Sequence, residues 1–377
     1  MTDPTKKGFN PGGVKDIYDS RDYSYREVAH GSKPFDWKKG FDIEETLSKL
    51  LKIKDFKIPT KDQDGSSSCG GQAWSYYNAV LEALYTKTFE ERSAKYIYGQ
   101  TWVPGGGSRG RDNAEIMRKQ GVCLESVLTS YDNGKPPSEA FITRSNDITI
   151  EARQNAKTSR SSIYAQIGIA DPEKGYVVIE IDDIAKAIRD FGGVVLGIDG
   201  SNNGTWKSNM PKPPKTDDKG PWRHWIYAGK AKLIKGKKYI GVLNSWGDDT
   251  GDDGWQWISE DYIKTYIKVY NEQAVWSGWT HIFATDTPPN DFKYTFTKDL
   301  KEGSKGKEVE ALQTALKLIS LFPEDVPITG YFGSITTQAV MEFQFKYKED
   351  ILIPVGLTNP TGYVGKSTRA KLNQLFG

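Results

Sequence analysis

Lys61-Asp62-Gln63-Asp64-Gly65-Ser66-Ser67-Ser68-Cys69, followed by Ala73, Trp74, Tyr77, Val80, Leu81, Leu84 and Tyr85, decides how this chain is read. The apolar residues recur at helical spacing, so a helix is predicted to start at Cys69. A thiol at a helix N-terminus is favoured as a thiolate, because the dipole and the free N–H groups of the first turn face it. Gln63 offers a side-chain N–H to a developing oxyanion, together with the Cys69 backbone amide.

A thiol nucleophile needs a base, and the chain has three histidines. His30 lies in an irregular stretch, and His281 lies in a late apolar strand with no polar partner signal. His224 is therefore the candidate, and its imidazolium would lower the thiol pKa further. It opens an alternating strand, with Trp225, Tyr227 and Gly229 on one face and Ile226 and Ala228 on the other. The following strand, Lys238 to Asn244, leads into Asn244-Ser245-Trp246-Gly247. Two adjacent strands bring the Asn244 amide to the imidazole, where its carbonyl would fix the tautomer and the ring angle. Taken singly, a cysteine at a helix start is usually a small buried hydrophobe and a histidine before a strand is usually structural. The order Gln, Cys, His, Asn shifts that balance, because four independent positions agree.

The chain's 377 residues exceed one ordinary domain. A hydrophobic fraction of 37%, with 11 Trp and 20 Tyr, is enough for a sizeable core. The formal charge of +2 gives no general case for a nucleic-acid or membrane partner. The only cysteines, Cys69 and Cys123, rule out a disulfide framework, and Cys123 is expected as a partly buried structural thiol. Met1 to Lys7 leads into a polar stretch, and no run is long enough to span a bilayer. The expectation is synthesis in the cytoplasm without a signal peptide, as a monomer that does not insert into membranes.

Residues 1–33 read as an irregular arm, with Arg21-Asp22-Tyr23 able to dock on the body. Residues 34–285 form the main region, whose first strong helix follows Cys69. Gly105-Gly106-Gly107 is a loop. A helix over Ile184–Phe191 stops at Gly192-Gly193, and Val194 to Ile198 read as a buried strand. Asn202 to Pro221 read as an exposed, proline-rich insertion. Helices early and strands late define an α+β domain in two halves. Residues 286–296 read as a linker, with Thr287-Pro288-Pro289-Asn290-Asp291 at its centre. Residues 297–377 form a separate module with an internal echo, Gly330-Tyr331-Phe332-Gly333 with Thr336 and Gly362-Tyr363-Val364-Gly365 with Thr368. Each echo ends a loop and opens a helix, with Ser or Thr available as a cap.

Residues 34–285 resemble the papain family of cysteine peptidases. The resemblance rests on Phe35-Asp36-Trp37-Lys38-Lys39-Gly40, on Gln63 through Cys69, and on Gly121-Val122-Cys123-Leu124-Glu125 with Tyr131. It continues through His224, Asn244-Ser245-Trp246-Gly247 and the Asp252-Asp253-Gly254-Trp255 turn. It implies a papain-like fold of a helical half and a β-barrel-like half. It also implies catalysis by Cys69, His224, Asn244 and Gln63, with Trp246 shielding the His–Asn bond and contributing to the substrate site. By the same analogy Gly106 and Gly107 hydrogen-bond an extended substrate, or else form a plain turn. The chemistry calls for no cofactor and no metal. Departures are Gly70 where the family has an aromatic, Ser66 where it has a disulfide cysteine, and an arm too short for the usual inhibitory prodomain.

Residues 297–377 resemble the peptidoglycan-binding domain of wall-lytic enzymes, through Leu300, Gly303, Gly306, Val309, Leu312 and Gln313 and the two echoes. Three short helices are predicted, with Val309, Leu312, Leu316, Val340 and Phe343 facing a core. Tyr331, Phe332 and Tyr363 are candidates for sugar stacking and equally for core. Together the two resemblances imply a cysteine endopeptidase of the bacterial cell wall, a phage-type endolysin cutting peptidoglycan peptides. The alternatives are a general endopeptidase anchored at the wall and an inactive wall-binding protein.

Overall fold

The computed structural model describes residues 12–16, 22–28, 32–161, 163–171, 173–174, 176–282, 292–319, 321–323 and 326–377. The chain divides into two compact units, Met1–Tyr25 with Ser32–Ile282, and Arg26–Gly31 with Phe283–Gly377. Among the described residues no helix is long and apolar enough to cross a membrane. His30 and residues 286–291 lie outside the described residues.

In the first unit, helices come early. Ile43–Leu51 is a helix missed by the sequence reading, which placed the first strong helix at Cys69. Its signal was local: the Asp42 carboxylate caps the Glu44 and Glu45 N–H groups, and only nine residues follow. The helix Cys69–Thr86 begins where predicted and is buried continuously from Cys69 to Ala83. It is a central helix, not a surface one, which is why its apolar residues extend beyond a single stripe. Its C-terminus is Lys87 in the left-handed conformation, with its N–H on the Ala83 carbonyl.

The second half is an eight-stranded sheet. In order its main path runs Trp255–Ser259, Lys237–Leu243, Trp222–Ile234, Val194–Gly200, Val275–Ile282, Ile163–Gln166 and Tyr23–Ser24. All but the last pairing on this path are antiparallel. The strand Trp222–Ile234 is the centre of the site, and its first half is almost wholly buried. The Cys69–Thr86 helix packs on it, with Trp74 meeting Trp225 edge to face at 5.1 Å. Such a pair contributes about 0.5–1.5 kcal/mol beyond its buried area. The segment expected as an exposed insertion is partly structural. Trp206 is fully buried among Trp222, Trp246 and Tyr262. Its polar and proline-rich neighbours hid one large anchor.

The second unit has its own core, formed by the helices Lys307–Leu318, Ser334–Lys346 and Lys366–Phe376. Val309, Leu312, Leu316, Val340 and Phe343 lie in it as expected, as does Phe332, which is therefore closed to sugar stacking. Tyr363 is 42% exposed, and its hydroxyl donates to Asp299. Phe296, read as linker, is also buried here.

The internal echo has a physical cause. Gln313 is buried, and its Oε1 accepts the N–H groups of Thr329 and Gly330, while its Nε2 donates to the Tyr331 carbonyl and Thr336 Oγ1. Gln344 does the same for Thr361, Gly362, Tyr363 and Thr368. The threonines are thus engaged by glutamine, and Gly333 and Gly365 stand at the N-cap positions with no side-chain cap, contrary to the capping expected. Replacing Gln313 or Gln344 by Ala strands several buried backbone groups, and each variant is expected to lose about 2–4 kcal/mol in this unit. Urea unfolding followed separately for the two units tests this, and an unchanged midpoint for the second contradicts it.

Candidate active site

The site is assembled from the bottom by hydrogen bonds that fix direction. Gln256 Nε2 donates to the Trp206 carbonyl at 2.7 Å and the Ser208 carbonyl at 3.1 Å. Its Oε1 therefore faces Asn244, whose Nδ2 donates to it at 2.9 Å. That turns Asn244 Oδ1 toward His224 Nε2, at 3.0 Å, where it also accepts the Ser245 N–H at 2.9 Å. An amide oxygen only accepts, so the His224 proton sits on Nε2 and the lone pair on Nδ1. The pairing expected from the two strands is thus present. Gln256, which determines its polarity, carried no signal in the sequence beyond its place in a Trp-Gln-Trp strand.

Trp246 is buried against the His224 ring, with centroids 5.1 Å apart, and packs on Trp206 and Trp222. This is the shielding position, behind the imidazole. Gln63 is fully buried. Its Oε1 accepts the Ser245 hydroxyl at 2.6 Å, and its Nε2 donates to the Ser66 carbonyl at 3.1 Å. Cys69 opens its helix, and the Trp225 N–H points at its sulfur at 3.4 Å. Cys69 and the backbone beside His224 therefore meet across the seam of helix and sheet.

Gly70, the departure from the family pattern, is required by packing. A Cβ there would lie 2.2 Å from Ser108 Oγ and 2.5 Å from Asn113 Nδ2. The third histidine, His281, is buried with its Nδ1 2.7 Å from Ser161 Oγ, so it does have a polar partner, one 120 residues away in sequence. Cys123 is wholly buried, more so than expected, and its thiol is free.

Residues 12–16 of the arm lie against Ser67, Cys69 and Ser108. Gly13–Val14 pairs in parallel with Ser108–Arg109, and the Gly12 carbonyl accepts the Ser108 N–H at 3.0 Å. A Cβ on Gly12 would lie 2.0 Å from the Ser67 carbonyl oxygen and 3.0 Å from the Cys69 sulfur. Downstream, the Arg111 N–H donates to Asp16, and Asp22 pairs with the Arg111 guanidinium. The docking foreseen for Arg21-Asp22-Tyr23 is carried by Asp22, and Tyr23 pairs with Ala165 in the sheet; Arg21 lies outside the described residues.

The glycine loop is bonded within itself and to Tyr98. Gly106 N–H donates to the Val103 carbonyl, Gly107 N–H to the Tyr98 hydroxyl, and the Gly107 carbonyl accepts the Val103 N–H. The loop uses those groups internally, with positive φ at both glycines. The extended segment is bound by Ser108, the next residue, which the sequence reading missed. Glu139, also missed, braces the cleft by accepting the Ser67 N–H and the Tyr98 hydroxyl, each at 2.6 Å.

Burial sets the protonation states. It pushes the Cys69 thiol up to about 12, against lowering by the N–H groups of Trp225, Gly12 and Gly70. It pushes His224 down to about 4, against raising by Asn244. With the arm docked, the pair is a neutral thiol and a neutral imidazole, not the ion pair expected from the sequence.

The fold is similar to xylellain, a cysteine protease from Xylella fastidiosa, at 17% identity and a TM-score of 0.52, over 73% of this chain and 96% of that one. It is similar to a procathepsin B from Trypanosoma congolense at 12% identity and a TM-score of 0.51, over 73% of this chain and 87% of that one. The first unit therefore has a papain-like fold. Residues 305–372 match the family described as "Putative peptidoglycan binding domain". No curated protein matches the chain.

Two predictions come from this site. Gly12→Ala cannot keep the arm against Ser67, so alkylation of Cys69 by iodoacetamide at pH 7 is expected to accelerate by about tenfold or more, equivalent to about 1.4 kcal/mol of docking lost. An unchanged rate contradicts the contact. For pH, the depressed His224 value means that the unfolded chain binds more protons than the fold between the ordinary 6.5 and about 4. Stability from this group is complete above about 6.5 and is lost as pH falls through that window. His224→Gln is expected to shrink the acid-side loss in unfolding free energy by about 3 kcal/mol, measured by urea titration at each pH. A loss of undiminished size contradicts the burial.

Proposed function

We propose that the first unit is a cysteine endopeptidase that cleaves the peptide part of bacterial peptidoglycan and that the second unit holds it at the wall. The observation that carries this reading is the His224–Asn244 hydrogen bond, oriented by Gln256 and covered by Trp246, beside a cysteine at a helix N-terminus. The papain-like fold and the peptidoglycan-binding match support the two halves of the proposal separately.

In this mechanism the arm first leaves the cleft. Water then reaches Cys69 and His224, which removes the burial that keeps both neutral, and the thiol proton passes to Nδ1. The thiolate attacks the peptide carbonyl. The oxyanion is held by the Cys69 N–H and by the second N–H of the Gln63 amide, whose carbonyl end is fixed by Ser245. The His224 imidazolium protonates the leaving amine as the C–N bond breaks and a thioester forms. Water adds to the thioester with its proton passing to His224, the C–S bond breaks, and the acid leaves with Cys69 restored. Asn244 keeps the imidazole in the plane and tautomer that both steps need.

The tether supplies a high local concentration of wall peptide, so the cleft itself need not bind tightly. The biological role we infer is that of a phage-type endolysin acting at the cell wall. Incubation with purified peptidoglycan is expected to release new amino groups while casein stays intact, and Cys69→Ala is expected to lower the rate by at least about a thousandfold with the fold unchanged. Casein cleavage without wall cleavage would favour a general endopeptidase. Undiminished hydrolysis in Cys69→Ala would remove the proposed nucleophile.

A further inference from the structure

Beside the catalytic strand lies a buried cluster of charge that the proposed mechanism does not use. Arg223, the residue before His224, pairs with Glu272 and brings its Nε to 3.4 Å from Asp199 Oδ1. Its guanidinium lies 3.8 Å over the Tyr270 ring and 5.1 Å from that of Trp276. Asp199 sits opposite Arg223 in the sheet and is wholly buried. Neither of its carboxylate oxygens accepts a well-formed hydrogen bond, and the Trp276 indole N–H faces it without good geometry.

The body of the domain therefore supplies two buried carboxylates, Asp199 and Glu272, and one cation, Arg223. The remaining cation comes from the arm. Lys15 Nζ pairs with Glu272, whose side chain is 2% exposed, while the Lys15 side chain is 50% exposed. Lys15 follows Gly12 by three residues and Gly13, which lies against the His224 backbone, by two. An ammonium thus enters from the cleft side and lands on a buried carboxylate. Without it the buried Glu272 carboxylate keeps only Arg223, whose guanidinium also lies beside Asp199. Burial pushes the Asp199 carboxyl up to about 8, with Glu272 adding to the rise and Arg223 and Lys15 opposing it, so the carboxylate that meets the ammonium is Glu272.

We propose that Glu272, Asp199 and Arg223 form a subsite for a primary ammonium on the substrate peptide, filled by Lys15 while the arm is docked. The substrate class is a peptide carrying a lysine-type diamino acid about three residues from the scissile bond, a chemistry that peptidoglycan stems supply. The inference rests on the peptidase reading, with the arm tracing the path that the substrate takes when it displaces the arm. Glu272 acts by pairing with the ammonium. Arg223 keeps the two carboxylates apart and is itself held flat by Tyr270.

The test uses fluorogenic peptides with lysine or norleucine three residues before or three residues after the cleaved bond, on the full chain. At one of the two placements, kcat/KM for lysine is expected to exceed that for norleucine by about tenfold or more. Glu272→Gln is expected to bring that ratio near one. Lys15→Met is expected to raise the lysine-peptide rate by removing the competing ammonium. No lysine preference at either placement, or a preference that survives Glu272→Gln, overturns the subsite. A chain that cleaves none of the peptides would count against the peptidase reading. The same peptides are therefore also titrated onto the Cys69→Ala chain, where equal affinity for lysine and norleucine overturns the subsite whatever the turnover. Asp199→Asn replaces Glu272→Gln if that variant does not fold.

Discussion

Everything in the first unit converges on one contact, the Trp225 N–H pointing at the sulfur of Cys69. It is where the N-terminus of the buried helix meets the central strand. Trp74 packs on Trp225 to hold the seam, and His224 is the preceding residue of that strand. Gly71 allows a second close approach in the same turn, to the helix Ala94–Thr101, because a Cβ there would lie 2.6 Å from the Ala94 carbonyl oxygen. Local backbone chemistry, core packing and the candidate site are one arrangement at this point.

The second constraint is directional. A chain of amide groups from Trp206 and Ser208 through Gln256 to Asn244 leaves a single sensible orientation for each amide. That polarity reaches the imidazole and determines which nitrogen holds the proton. The bond is buried under Trp246, where competing water is excluded and an electrostatic contact is worth more than in solvent. Burial pushes the Cys69 thiol up and the His224 imidazole down, while the Gly12 N–H of the arm opposes the shift at Cys69. In the described state Gly12 lies against Ser67 and Cys69.

Much of this was legible in the sequence because the informative groups are polar residues in a fixed order. The His224–Asn244 pairing is present as the strands implied, as are the helix starting at Cys69 and the strand carrying His224. What was not legible depends on contacts between distant segments. Ser108 binds the extended arm because Gly106 and Gly107 spend their own groups inside the loop. Trp206 anchors a polar insertion, and Ser161 reaches His281 across the fold. No period or motif encodes such pairings. In the second unit the repeated Gly-Tyr pattern was visible, but its cause was not, since Gln313 and Gln344 lie on the preceding helices.

The central claim is that Cys69 is the reacting sulfur of a peptidase cleft that the arm covers and a peptide can enter. Reaction of the full chain with a peptidyl epoxide, followed by intact-mass analysis and peptide mapping, addresses it most directly. The account predicts a single adduct on Cys69, slowed by the docked arm and lost in His224→Gln. Labelling of Cys123 instead, or labelling of Cys69 at the same rate without His224, would contradict it.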